Sequence, residues 1–559
     1  MKKVISLLSF LAPLVWLFGL QADPSNQELI IGVDQEFETL NPAINQSVIG
    51  TYILAMTLRN IGVINADGKW VPLIVKEFPT LKNKKAKIVN GKIVMETEIL
   101  ESAKWSDGKP VVCDDFAFTR ELGLTKTVSV GGREKYERIE KIEWSPQTPK
   151  KCTWTFKEAR WDFFHLGTYH PLPAHLERPI LEKFGKENGG YEKNSLYTRQ
   201  PTTPGLSNGP YMFSEFKQGS HVSLVRNPHF YGKPAAIEKV TFRIIPNSGT
   251  LEANLRSGTI DMVGIIGLTF DQAVSLEKKV AAEKMDIRVL FQPGLTYEHI
   301  DFNLDNPVLK DLRVRKALVH AIHRDELVKA LFEGKQPKAI HNITEADRDW
   351  FTADPKKVVL YPFDRKKAAA LLEEAGWKMG SSGVREKDGK RLSLPFSTTA
   401  GNKIRETVQV FLQNQWKAVG VEVLVKNEPA RVFFGETMRK RKFEALAMYA
   451  WVSSPGVPFY STLLSDSIPS ESNGFSGQNY PGWRNAKVDA LMTQIKTEMN
   501  EGKRKDIIHQ VLREYTEEVP TIPLYYRSEI AVIPKNLKGY RITGHQFYDS
   551  YFVENWSLQ

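Results

Sequence analysis

The stretch Lys104 to Phe118, KWSDGKPVVCDDFAF, holds three aspartates and a cysteine. Clustered carboxylates can share acid and base roles about a scissile bond, which makes Asp107, Asp114 and Asp115 the first candidates for catalysis. Their surroundings favour structural work instead. Ser106-Asp107-Gly108-Lys109-Pro110 has the composition of a tight turn, with Asp accepting local backbone hydrogen bonds and Gly free to take positive φ. Asp114 or Asp115 precedes Phe116-Ala117-Phe118, where a carboxylate caps a helix and favours its dipole. The adjacent acids Glu373-Glu374 and Glu517-Glu518 could flank a glycosidic bond, the mark of an exported glycosidase, yet both pairs fall on expected helix surfaces where charges are solvated. His165, His170 and His175 in HLGTYHPLPAH invite a metal, but Pro171 and Pro173 prevent a regular helix from aligning them. The chain has no Gly-x-Ser-x-Gly elbow, no His-Glu-x-x-His and no Gly-x-x-x-x-Gly-Lys loop. A binding protein without catalytic residues, metal or cofactor is expected.

The elements that carry these residues form a mixed α/β chain. Its 559 residues exceed a single core, and 42% apolar with 25% charged residues is an ordinary globular balance, so two or three lobes are expected. MKKVISLLSFLAPLVWLFGLQAD, with Lys2 and Lys3 before an apolar run from Val4 to Leu20, reads as an export signal over residues 1–22, cleaved after Ala22. No cysteine follows the cleavage point to take a lipid, which predicts a free periplasmic or secreted protein. In an oxidising compartment Cys113 and Cys152, the only cysteines, either form one disulfide or remain two buried thiols. The net charge is +11, two units of it from Lys2 and Lys3. KNKKAK (82–87) and RKRK (439–442) are short and isolated, which argues against a nucleic-acid partner.

Along the chain, ELIIGV is a short apolar strand and Ile49 to Leu58 a helical stretch. KIVNGKIVMETEI carries a hairpin signal at Asn90-Gly91. LSNGPYMFSEFKQGSHVSLVRNPHFYG reads as two strands about Gln218-Gly219, and VTFRIIP as a third, followed by a helix ending at Gly258. DLRVRKALVHAIHRDELVKALFEG places Val314, Leu318, Ala321 and Ile322 on one helical face, then a second helix ending at Gly334. YPFDRKKAAALLEEAGW repeats the pattern, with Asp364 as N-cap and Gly376 past the end.

The order KWSDGKP…DDFAF, NGPY…LVRNPHFY, LRSGTID and DLRVRKALVHAIHRDELVKALFEG resembles the extracytoplasmic solute-binding proteins of peptide ABC importers, the oligopeptide- and dipeptide-binding family 5, from about Leu29 to Tyr526. The resemblance implies a two-lobed α/β periplasmic binding protein fold of type II, large peptide-binding class, with an extra inserted subdomain. Residues 23–62, 200–296 and 523–559 would form lobe I, 63–199 its insert and 297–522 lobe II, with hinge crossings near Tyr297 to Asn303 and Pro520 to Tyr525. It further implies a monomer that captures a peptide in the interlobe cleft and passes it to membrane permease subunits. The alternative is the same fold with a non-peptide ligand such as an oligosaccharide or metal chelate.

FEALAMYAWVSSPGVPFY is the stretch expected to meet the ligand. In the resembled family a strand leading to a Trp is followed by an Asp that pairs with the peptide's α-amino group. Trp451 matches that Trp, whereas the Asp position falls on Ser454, or on Ser453 if the alignment slips by one. Asp466 or Glu471 would have to replace the acid, or the amine stays solvated. Thr51, Tyr449, Trp451, Ser453, Ser454 and Asn479 are the expected ligand contacts.

Overall fold

A computed structural model describes residues 28–559 apart from 37–38, 46, 131–132, 167–168, 340–353, 453–454, 456–459, 474 and 476. The signal assigned to 1–22 and the serines at 453 and 454 therefore lie outside the described residues. Among those described, no helix is long and apolar enough to cross a membrane.

The frame is one ten-stranded mixed sheet. Its central strands are β1 (Glu28–Val33), β2 (Lys239–Ile244), β3 (Met262–Val263), β4 (Ile287–Phe302), β5 (Leu446–Val452) and β6 (Thr521–Pro534). β2, β1 and β3 lie side by side and parallel. β3 meets β6, β6 meets β4, and β4 meets β5, all antiparallel. Strands 393–397 and 422–425 extend the sheet beyond β5, and 221–226 and 211–217 extend it beyond β2. An antiparallel four-stranded sheet of 86–89, 92–98, 151–156 and 139–143 packs separately, its first hairpin turned at Asn90 and Gly91, both with positive φ.

β4 and β6 are 16 and 14 residues long and stay paired from Ile287↔Pro534 to Asp301↔Thr521. The expected crossings near 297–303 and 520–525 thus sit inside one hydrogen-bonded strand pair rather than in loops. Its register shifts between Pro293 and Thr296 and again between Glu298 and His299; Pro293 lacks an N–H and Gly294 a side chain, so neither holds a regular ladder.

Two large apolar clusters flank the pair. One joins Leu29, Ile31 and Phe242 to Ile93, Met95 and Trp154, so the four-stranded sheet shares a core with β1 and β2. The other gathers Val314, Leu318, Leu372, Leu412 and Trp416 around Ile300 and Phe302. A third packs Trp161, from the inserted segment, with Ile508 and Leu512 on the long helix Glu501–Glu518. The Trp161 backbone N–H donates to Lys496 O at 3.3 Å, and the Arg504 guanidinium lies 4.4 Å over its ring.

The Asp107–Asp115 region is a structural unit. Gly108 takes φ +85°, and Asp107 Oδ1 accepts the Lys109 N–H at 3.0 Å while Oδ2 meets His175 Nε2 at 2.8 Å. Helix α2 (Cys113–Leu124) has Asp114 and Asp115 in its first turn. Asp114 takes two hydrogen bonds from Arg178, and Asp115 accepts the N–H groups of Val112, Ala174 and the Trp105 indole. The structure joins Cys113 to Cys152, with Cα atoms 5.5 Å apart, so of the two states open to them the bridge is the one formed.

Candidate functional site

Alternation along β4 puts Tyr297, His299 and Asp301 on one face, opposite Trp451, Tyr449 and Ala447 of β5. The Tyr297 and His299 rings stack at 4.8 Å, 3° from parallel, and His299 meets Tyr449 edge-on at 4.6 Å. His299 Nε2 lies 3.3 Å from Asp301 Oδ1, and the Tyr449 hydroxyl donates to Asp301 Oδ2. Burial, then the charge of Asp301, holds the Tyr449 phenol well above its ordinary range. All four side chains are almost fully buried, so this network fixes rings in place.

In front of it lies a cavity lined by Tyr297, His299, Asp301 and Trp451, closed by Trp483 and Tyr515. Trp451 stacks on Tyr480 with centroids 5.7 Å apart and stays partly exposed. The result is an aromatic platform over the Asp301 network, with a cavity of only about 30 Å³ before it, so stacking on the exposed face of Trp451 is the contact it offers a ligand.

The opposite face of β4 carries Glu298, fully buried. Arg405, on the helix Lys403–Lys417, donates to its Oε1 at 3.2 and 3.3 Å, and Arg527 of β6 donates to the same oxygen. Burial alone would raise the Glu298 pKa, but the two guanidinium charges outweigh it and hold the carboxyl below its usual range. This triad ties the strand pair to the second apolar cluster.

Of the expected contacts, Tyr449 and Trp451 belong to this site. Asn479 lines the cavity, but its amide donates to Leu464 O at 3.0 Å and Trp483 O at 2.8 Å and accepts the Trp483 N–H at 3.1 Å. With both ends engaged by backbone it braces a loop at the cavity wall. Thr51 stands on helix α1 (Val48–Thr57), away from this cavity, and its hydroxyl donates to Ser47 O and accepts from Asn45. Asp466 and Glu471 are exposed, so neither is a buried replacement for the missing acid. His165, His170 and His175 bond to Pro455 O, the Tyr551 hydroxyl and Asp107, three separate places. Among the described residues no three His, Cys, Asp or Glu side chains are grouped to hold a metal. Tyr297, His299 and Asp301 were missed; the alternation in YEHIDF was their signal, hidden because the segment reads equally well as a hinge.

Residues 87–470 match the family described as bacterial extracellular solute-binding proteins, family 5 Middle. The chain is 27% identical over 476 residues to the oligopeptide-binding protein AppA of Bacillus subtilis, covering 84% of this chain and 82% of that protein. It is similar to the crystal structure of an oligopeptide-binding protein of Thermus thermophilus complexed with a pentapeptide, with TM-score 0.69, 29% identity and coverage of 95% of this chain and 96% of that one. NikA of Brucella suis, in complex with Fe(III)-EDTA, shares the fold with TM-score 0.77 at 20% identity, over 96% of this chain and all of that one.

Proposed function

The chain belongs to the bacterial extracellular solute-binding proteins, family 5, and from that premise we propose that it captures a peptide between its two lobes and delivers it unaltered to the permease subunits of an ABC importer. The observation that carries the reading is the aromatic and acid face of Tyr297, His299, Asp301, Tyr449 and Trp451 on β4 and β5, beside the β4–β6 strand pair. The pentapeptide bound by the Thermus thermophilus relative supports the ligand class. A peptide backbone held as an added strand would fix direction, while aromatic faces accept varied side chains. Lobe I would comprise 23–62, 200–296 and 523–559, with 63–199 inserted, and lobe II 297–522; a single exported copy would work in the periplasm.

The test is calorimetry of the full chain with an equimolar mixture of random tetrapeptides, followed by mass spectrometry of what is released. Saturable binding with every peptide recovered intact is expected. No heat of binding removes the peptide reading, and recovery of cleaved products removes the non-enzymatic one. A chelate ligand is the second reading, favoured by the shared fold of the NikA complex, and Fe(III)-EDTA in the same calorimeter checks it.

A further inference from the structure

The C-terminal segment buries a pair of carboxylates without a countercharge. Asp549 begins the short helix Asp549–Asn555 and is 1% exposed. Its Oδ2 accepts the Tyr52 hydroxyl at 2.5 Å, while Oδ1 is buried with no partner. Glu529 of β6 leaves Oε2 buried and unpartnered, and it lies near enough to feel the charge of Asp549. The groups acting on the two carboxyls are each other, tyrosines and backbone amides; no Lys, Arg or His is among them. In a chain of net charge +11 this is a conspicuous place to withhold a cation.

Gly264 follows β3, and a Cβ built on it would lie 3.5 Å from the Tyr52 hydroxyl, so the Tyr52–Asp549 bond rests against the carboxyl edge of the parallel strands β1 and β3. Open α/β sheets take ligands in the crevice outside that edge. Glu529 stands beside Gly294, in the irregular stretch of β4 where the chain crosses between lobes. Tyr52 packs on Tyr548 with centroids 5.8 Å apart, and the Tyr540 hydroxyl is buried close enough for both carboxylates to act on it.

We infer that Asp549 and Glu529 form a subsite for a cationic nitrogen of the bound solute, an ammonium or guanidinium; the inference rests on the solute-binding reading above. Ionised together, the two would repel, and a partner cation would offset both that repulsion and the cost of desolvating them. Burial and mutual repulsion leave the carboxyls holding protons unusually tightly, Glu529 to about 8 and, by burial alone, Asp549 to about 7, as expected of a site waiting for its countercharge. An organic cation suits it better than a metal ion: hard cations want six or more oxygens, whereas tyrosine faces attract ammonium groups. The pair would supply the charge that Ser453 and Ser454 cannot.

The experiment uses the full chain and its Glu529→Gln and Asp549→Asn variants. The melting midpoint is measured in n-butylammonium chloride, magnesium chloride and sodium chloride at equal ionic strength. Calorimetry then compares tetrapeptide mixtures with neutral side chains, free or N-acetylated, and an acetylated mixture carrying one lysine. Butylammonium is expected to raise the wild-type midpoint above the sodium control, and Glu529→Gln to abolish the rise. The same variant should lose about tenfold in affinity for cationic mixtures and nothing for the neutral one. The acetylated and lysine arms separate an α-amine from a basic side chain. No specific rise in wild type, an equal rise in the variants, or a rise with magnesium instead overturns the inference. If no peptide mixture binds but the butylammonium rise persists and needs Glu529, the peptide reading fails and the cation subsite stands. Should Asp549→Asn fail to fold, Glu529→Gln decides alone.

Discussion

The Trp105 indole N–H donates to Asp115 Oδ2 at 3.0 Å, tying the turn at Asp107 to the first turn of α2. Asp115→Ala would leave this donor, the Val112 N–H and the Ala174 N–H without their acceptor, at a cost of about 1 to 3 kcal/mol. Urea denaturation should show that loss while affinity for the tetrapeptide mixture stays unchanged. A folded variant that no longer binds would put Asp115 back among functional residues.

The disulfide closes a loop between residues 39 apart in sequence. Replacing Cys113 and Cys152 by Ser should lower stability by about 3 to 4 kcal/mol, the loop entropy returned to the unfolded chain. Dithiothreitol should lower the wild-type urea midpoint and leave that of the double variant unmoved; equal sensitivity in both would mean the bridge does not stabilise.

Trp451 is partly exposed and stacks on Tyr480. Trp451→Ala should weaken tetrapeptide binding by about 2 kcal/mol, the scale of an aromatic anchor, with little change in melting midpoint. Unchanged affinity would move the ligand off this platform.

Trp161 reaches from the inserted segment to Lys496 and Arg504. Removing its ring with Trp161→Ala should shift the population toward an open form and weaken binding about fivefold, which corresponds to about 1 kcal/mol of lost cation–π contact. Small-angle scattering should record a larger radius of gyration for the unliganded variant than for wild type; identical profiles would deny Trp161 any part in closure.

Glu529 also makes a pH prediction. Its carboxyl, raised from 4.5 to about 8 by burial and then by Asp549, keeps a proton in the folded state that the unfolded chain releases above its lower pKa. The folded state binds more protons across that window, so this group's contribution to stability falls as pH rises from about 4 to about 8. Glu529→Gln should therefore gain stability relative to wild type as pH rises from about 5 to about 8. A pH-independent difference in urea midpoint would contradict it.

Local rules made much of this fold legible. Asn90-Gly91 marks its hairpin, and Asp364 caps the helix Arg365–Glu374. What stayed hidden depends on distance along the chain. Tyr52 and Asp549 meet across 497 residues, and nothing near either one announces the other. Asn479 looks like a ligand contact from its Gly- and Asn-rich neighbourhood, but only the fold shows its amide engaged by Leu464 and Trp483. The β4 strand was obscured by Pro293-Gly294, which reads as a break until β6 is seen bridging it.

A paired ribbon of two strands bends and twists at little cost but scarcely stretches, because lengthening it would break ladder bonds in series. If the lobes divide as proposed, β4 and β6 join them, and separation and rotation would be mechanically coupled. Whatever sits in the cleft is then reported outward as essentially one angle. The missing amide at Pro293 and the bare Gly294, where the register shifts, would set where along such an axle that angle turns. A permease reading such a molecule needs only to feel how far apart two distant surfaces stand, without touching the cargo itself.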